Sequence, residues 1–235
     1  MEKKQLAAVR LRQALHKPVS PYFAGVYTTL MSIVQGAALA TLAFVVFECS
    51  LSTATIFKVI ISWLVIGIVW HFYITHIQFV SWRLTPIDTL IPMGFGAWEC
   101  WLIFSVPRSM CRFSSALTLI AIWGVLSFLN WKLNWTEGGK QLMEDHFEDR
   151  AFADEMFTET DSFHTLALVS MVAMSAIFGV GAAFSHASGL TENANSVIVG
   201  SFFIAVLLIL LFKLQLRKWL NKSKTLKKKV GTGGF

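Results

Sequence analysis

Asp88 and Glu99 stand eleven residues apart in an otherwise apolar stretch. That distance is close to three helical turns, so both carboxyls project from one face of a helix. Ionisable side chains at membrane depth are costly and face protein or water, so they mark proton or ion paths or contacts between helices. Asp88 follows Pro86 and also fits a helix cap, where a carboxylate satisfies free backbone amides. Glu99 lies deeper, between Trp98 and Trp101, and is the stronger candidate for a role within the membrane. His71 and Gln78 are seven residues apart and share a face of the preceding apolar segment. Gln35, beside Gly36, is placed to add an inter-helix hydrogen bond.

His71-Phe72-Tyr73-Ile74-Thr75-His76 resembles a single histidine box of membrane desaturases and hydroxylases. Such enzymes hold two irons with several boxes, whereas His16, His146, His164 and His186 are scattered singly. Cys49, Cys100 and Cys111 fall in no paired metal-ligand spacing, so no metal or other cofactor is expected. The chain has no phosphate-cradling glycine loop, zinc-protease helix motif, serine elbow, potassium filter or arginine ladder. Neither an enzyme nor a standard voltage-gated channel is expected.

The elements that hold these residues follow from composition. Of 235 residues, 55% are hydrophobic and 14% are charged, against roughly a quarter charged in soluble domains. The apolar residues come in long blocks, and about 20 of them in a helix match the roughly 30 Å hydrocarbon layer. The fold expected is an all-α polytopic transmembrane bundle of six spans, near residues 22–47, 55–79, 87–106, 113–131, 163–185 and 196–216. Around them lie a basic N-terminal segment (1–21), an acidic connection (132–162) and a basic tail (217–235). The first span reads as uncleaved, and residues 1–17 as a short basic helix. Trp131 and Trp135 fit the headgroup belt.

The net charge of +6 comes from tails flanking the apolar blocks, so it reads as a topology signal and not as a nucleic-acid surface. Both basic ends belong in the cytoplasm, which requires an even number of spans. This arrangement places Arg108 and Arg112 outside, and the larger C-terminal cluster outweighs them. Ser32, Gly36 and Ala40, like Ser175, Gly179 and Ala183, recur every four residues and read as packing seams. Pro92, Gly94 and Gly96 are positioned to break the third helix beside Glu99. The first three spans show no convincing match to the last three, as an inverted-repeat transporter would.

The acidic connection holds Glu137, Glu144, Asp145, Glu148, Asp149, Asp154, Glu155, Glu159 and Asp161 against Lys132, Lys140 and Arg150. Leu142, Phe147, Phe152, Met156 and Phe157 interleave them, so an amphipathic helix with an acidic face is expected. Glu144, Asp145, Glu148 and Asp149 are its candidate partner-binding residues.

Two stretches carry a likeness: Tyr27-Thr28-Thr29-Leu30-Met31-Ser32-Ile33-Val34-Gln35-Gly36, and Asp88-Thr89-Leu90-Ile91-Pro92 through Gly96 to Glu99. They resemble small multi-span proteins of bacterial antiviral operons, such as the membrane accessories of RADAR, Kiwa and RNA-targeting (type VI) CRISPR systems. The resemblance implies an oligomeric inner-membrane component that answers a cytoplasmic partner or signal and perturbs the bilayer. Gln35, Asp88 and Glu99 would be the matching residues, without a catalytic role. The sequence thus favours a non-enzymatic homo-oligomer in the lipid bilayer that forms a pore or docks a protein through its acidic connection. The alternative is a small proton- or ion-coupled transporter using Glu99, with His71 as a second proton carrier.

Overall fold

The computed structural model describes residues 19–79, 86–146 and 150–231. They form six helices: α1 (Val19–Glu48), α2 (Thr53–Phe79), α3 (Pro86–Phe104), α4 (Met110–His146), α5 (Arg150–Ala187) and α6 (Glu192–Gly231). Five are long and apolar enough to cross a membrane: Thr29–Glu48, Thr53–Phe72, Met110–Leu133, His164–Ala187 and Glu192–Leu210. In α3 the apolar run is shorter, Leu90–Phe104, although the whole helix, at 1.5 Å per residue, is about 28 Å long. The chain is an all-α, multi-span membrane protein. The basic segment expected over residues 1–17 lies outside the described residues.

Local chemistry sets the helix ends. The Ser52 hydroxyl accepts from the Thr55 amide at 3.2 Å and caps α2. Gly189, in the left-handed region at φ 63°, stands two residues beyond the end of α5, where a residue without Cβ terminates a helix at least cost. The Thr191 hydroxyl then accepts from the Ala194 amide at 3.4 Å as α6 begins.

Close approach between helices depends on glycine. A Cβ on Gly94 would lie 2.4 Å from the Trp123 ring of α4, and one on Gly96 would lie 2.4 Å from Val34 of α1. The Trp123 indole donates to the Ile91 carbonyl at 3.1 Å, next to Pro92. Contrary to the expectation of a break, α3 runs unbroken through Pro92, and its glycines seat it between α1 and α4. Gly181 serves α5 in the same way against Phe203 and Val199 of α6. Phe178 and Phe203 then meet edge to face, 4.8 Å apart and at 75°.

Two packing expectations are corrected. Ser32, Gly36 and Ala40 are exposed, and a Cβ on Gly36 would meet nothing within 4 Å. The side of α1 that meets the bundle carries Val34, Gln35 and Ala38 instead. Trp131 is 3% exposed, in edge-to-face contact with Phe128 at 5.0 Å. It belongs to the core because α4 and α5 continue past it. Among the described residues, a small, partly open cavity of about 30 Å³ lies between α2, α3, α4, α5 and α6. Its walls are apolar side chains, among them Phe72, Phe95, Phe128, Met174 and Phe178. A cavity with such a lining stays dry.

Three helices exceed the hydrocarbon thickness. With 37, 38 and 40 residues, α4, α5 and α6 are about 55 to 60 Å long, nearly twice the roughly 30 Å apolar layer. The excess follows the span in α4 and α6 and precedes it in α5. Because successive helices reverse direction, all three overhangs leave the bundle at the same end. The acidic segment is therefore the end of α4 and the start of α5, a helical hairpin and not a loop with one helix.

Candidate functional site

The bundle brings together two polar residues that the sequence presents 64 positions apart. Gln35 of α1 and Glu99 of α3 are both fully buried. The Gln35 amide Nε2 donates to Glu99 Oε1 at 3.2 Å and to Oε2 at 3.0 Å. Gln35 sits next to Val34, whose methyl fills the space left by Gly96, so one helix contact positions both members of the pair. Gln35 Oε1 is buried without a hydrogen-bond partner. In the observed rotamer the amide serves a carboxylate, which only accepts; after half a turn its oxygen would accept from a carboxylic acid. The pair is thus able to satisfy either protonation state.

The other candidates are distributed differently. Asp88 lies within the first turn of α3, because the helix already begins at Pro86; its side chain lies outside the described residues. The partner given to Glu99 comes from the neighbouring helix α1. His71 is half-buried on α2, and the side chain of Gln78, near the end of that helix, is again outside the described residues.

At the opposite end of the bundle from the overhangs is a second polar cluster, which sequence reasoning passed over. Lys58 of α2 is 2% exposed. Its ammonium group lies 2.5 Å from Glu192 Oε1 and donates to the Arg108 carbonyl at 2.5 Å. Glu192 Oε2 accepts from the Met110 amide at 3.0 Å, which supplies a partner for a free amide at the start of α4. Ser196 Oγ donates to Glu192 Oε1 at 3.3 Å. One carboxylate therefore ties α2, the α3–α4 turn and α6 together. The available signal was a lone lysine five residues into an apolar helix, costly unless paired.

The third cluster is the hairpin. Lys132 pairs with Asp161 and donates to Thr165 at 3.0 Å, above the fully buried His164. Lys140 and Asp154 follow at 3.6 Å, both 61% exposed. The two pairs run in opposite order along the two helices and fix an antiparallel register. The outer pair contributes little, as exposed ion pairs do, so the hairpin relies chiefly on its base. Glu144 is exposed on the last turns of α4. Asp145 lies on the same helix with its side chain outside the described residues, and Glu148 and Asp149 fall wholly outside them.

No protein-family model, curated protein or solved structure matches this chain.

Proposed function

We propose that this chain is a non-enzymatic, oligomeric membrane component of a bacterial antiviral defence system. It sits in the inner membrane with both termini and the hairpin in the cytoplasm, and docks a cytoplasmic protein through that hairpin. The observation that carries the reading is the hairpin itself, a pair of helix ends that leave the apolar layer and keep acidic residues in water. A membrane body has no need of such an overhang for its own packing. Two further points support the reading. The two stretches that carry the likeness to defence-operon membrane proteins meet through Gln35 and Glu99. The cavity inside the bundle is small and lined by apolar side chains, so a conduit acting on the bilayer would form between copies.

Reversing Glu144, Asp145, Glu148 and Asp149 to lysine should abolish capture of the cytoplasmic partner, while membrane insertion is unchanged. Co-purification of the tagged full-length chain from its native host measures this, and partner capture at the wild-type level would refute the docking role.

The buried Gln35–Glu99 pair favours a second reading, proton- or ion-coupled transport through Glu99. Glu99→Gln retains the shape and removes the titratable group. In proteoliposomes, ion flux should then lose its dependence on pH, and an unchanged pH profile would exclude this reading.

A further inference from the structure

Arg108 and Arg112 stand at the end of the bundle away from the overhangs, against the general preference for basic residues on the cytoplasmic side. Both side chains are exposed. Among the described residues, neither guanidinium takes part in an ion pair or a hydrogen bond, and Arg108 joins the Lys58 cluster only through its backbone carbonyl. Glu192, the carboxylate that reaches this turn, is already held by Lys58, the Met110 amide and Ser196.

The placement of both arginines follows from the lipid-facing sides of two consecutive helices. On α3, Leu90, Met93, Ala97, Trp101 and Phe104 are exposed at spacings of three and four, the recurrence of a single helix face. Four residues further on comes Arg108, reached through tight turns in which the Val106 and Arg108 amides donate to the Ile103 and Ser105 carbonyls. On α4, Arg112 is followed by Ser115, Leu119, Ile122 and Leu126, again exposed at intervals of three and four. Because α3 ends and α4 begins at the same end of the bundle, each stripe terminates there in an arginine. Acyl chains lie along such stripes, and headgroup phosphates stand at the level where the hydrocarbon ends. Trp101, 60% exposed, adds an amphipathic ring near that boundary.

We propose that Arg108 and Arg112 hold the phosphate of an anionic phospholipid in the leaflet away from the hairpin, with its acyl chains along the exposed faces of α3 and α4. Four chain positions span at most about 14 Å, and less in a turn, so one headgroup is within reach of both side chains. A guanidinium meets a phosphate with two parallel N–H bonds, which a lysine does not match. The bound lipid rests on the turn that supplies the Arg108 carbonyl and the Met110 amide, and so bears on the same fastening as Lys58 and Glu192. The site belongs to the membrane body alone and neither requires nor excludes the docking role of the hairpin.

The test titrates phosphatidylglycerol into the full-length chain in neutral detergent micelles and follows bound lipid by native mass spectrometry. Arg108→Gln with Arg112→Gln should weaken binding of the tightest-held phosphatidylglycerol about thirtyfold, the share of two cations beside an anionic headgroup layer. Arg108→Lys with Arg112→Lys should show an intermediate loss, since lysine keeps the charge without the fork; this pair decides the matter if the glutamine pair does not fold. Removing cations from this side leaves the charge bias of the two tails intact, so the orientation of the chain is preserved. Wild-type affinity in either pair would overturn the site and assign the lipid to the basic tail of α6. Equally tight binding of phosphatidylcholine to the wild-type chain would overturn it too. Inorganic phosphate is titrated in parallel: dependence on the two arginines for phosphate but not for the lipid would mark a site for a free anion, and the proposal would fall.

Discussion

Glu192→Ala should destabilise the bundle by about 3 kcal/mol, the lower edge of the range for stripping one partner from a buried ion pair. Lys58 is the buried member and Glu192 is 42% exposed, so the two truncations are not equivalent. Without the carboxylate, an ammonium in apolar surroundings keeps only the Arg108 carbonyl, and the Met110 amide loses its acceptor. Without the lysine, as in Lys58→Met, a partly hydrated carboxylate still caps α4, and the thioether fills much of the vacated space. Lys58→Met should therefore cost far less, and the double variant should recover much of the loss seen in Glu192→Ala. Reversible unfolding in mixed micelles, followed by tryptophan fluorescence, ranks the three. If Glu192→Ala proves no worse than Lys58→Met, the cluster is not the fastening described.

Gln35→Leu should cost about 1–3 kcal/mol, as expected when a buried hydrogen-bonding group loses its partner. Glu99→Leu strands the buried Gln35 amide in turn and should cost a comparable amount. Gln35→Leu with Glu99→Leu together replaces a polar contact by an apolar one of similar size, and should approach wild-type stability. Neighbours that share a hydrogen bond couple in such a cycle, whereas independent residues add. Purely additive losses would show that the two side chains do not act as a unit. The double variant also separates packing from function: regained stability with lost flux or lost partner capture would assign the pair a working role.

These residues show where sequence reasoning reaches. Hydropathy and length located the helices because the bilayer fixes both, and Gln35 and Glu99 stood out because polar atoms at that depth are expensive. Their pairing was not legible. Periodicity reports which residues share one face of one helix, and it linked Glu99 to Asp88, eleven residues away on the same helix. Contact with Gln35 depends on α3 lying against α1 through Gly96 and Val34, which no spacing along a single helix encodes. The seam expected at Ser32, Gly36 and Ala40 is not used within one copy, for the same reason: a four-residue recurrence marks a face suited to close approach, not the neighbour that will use it. Lys58 escaped notice because its partner is 134 positions away. The acidic segment was recognised by composition, and its hairpin form came from the continuity of α4 and α5, which charged residues in water neither require nor forbid.

The cluster around Lys58 fastens three elements at one end of the bundle, while α4, α5 and α6 extend past the other, α4 and α5 joined there by Lys132–Asp161 and Lys140–Asp154. In such a body the paired α4 and α5 form one lever held at its root. A tilt of about 5° about the held end would carry a tip about 55 Å away through some 5 Å, given the length of these helices. A modest pull on the hairpin by a bound protein would then be felt as a small rotation deep in the lipid, where α4 packs on α3 through Trp123 and Gly94.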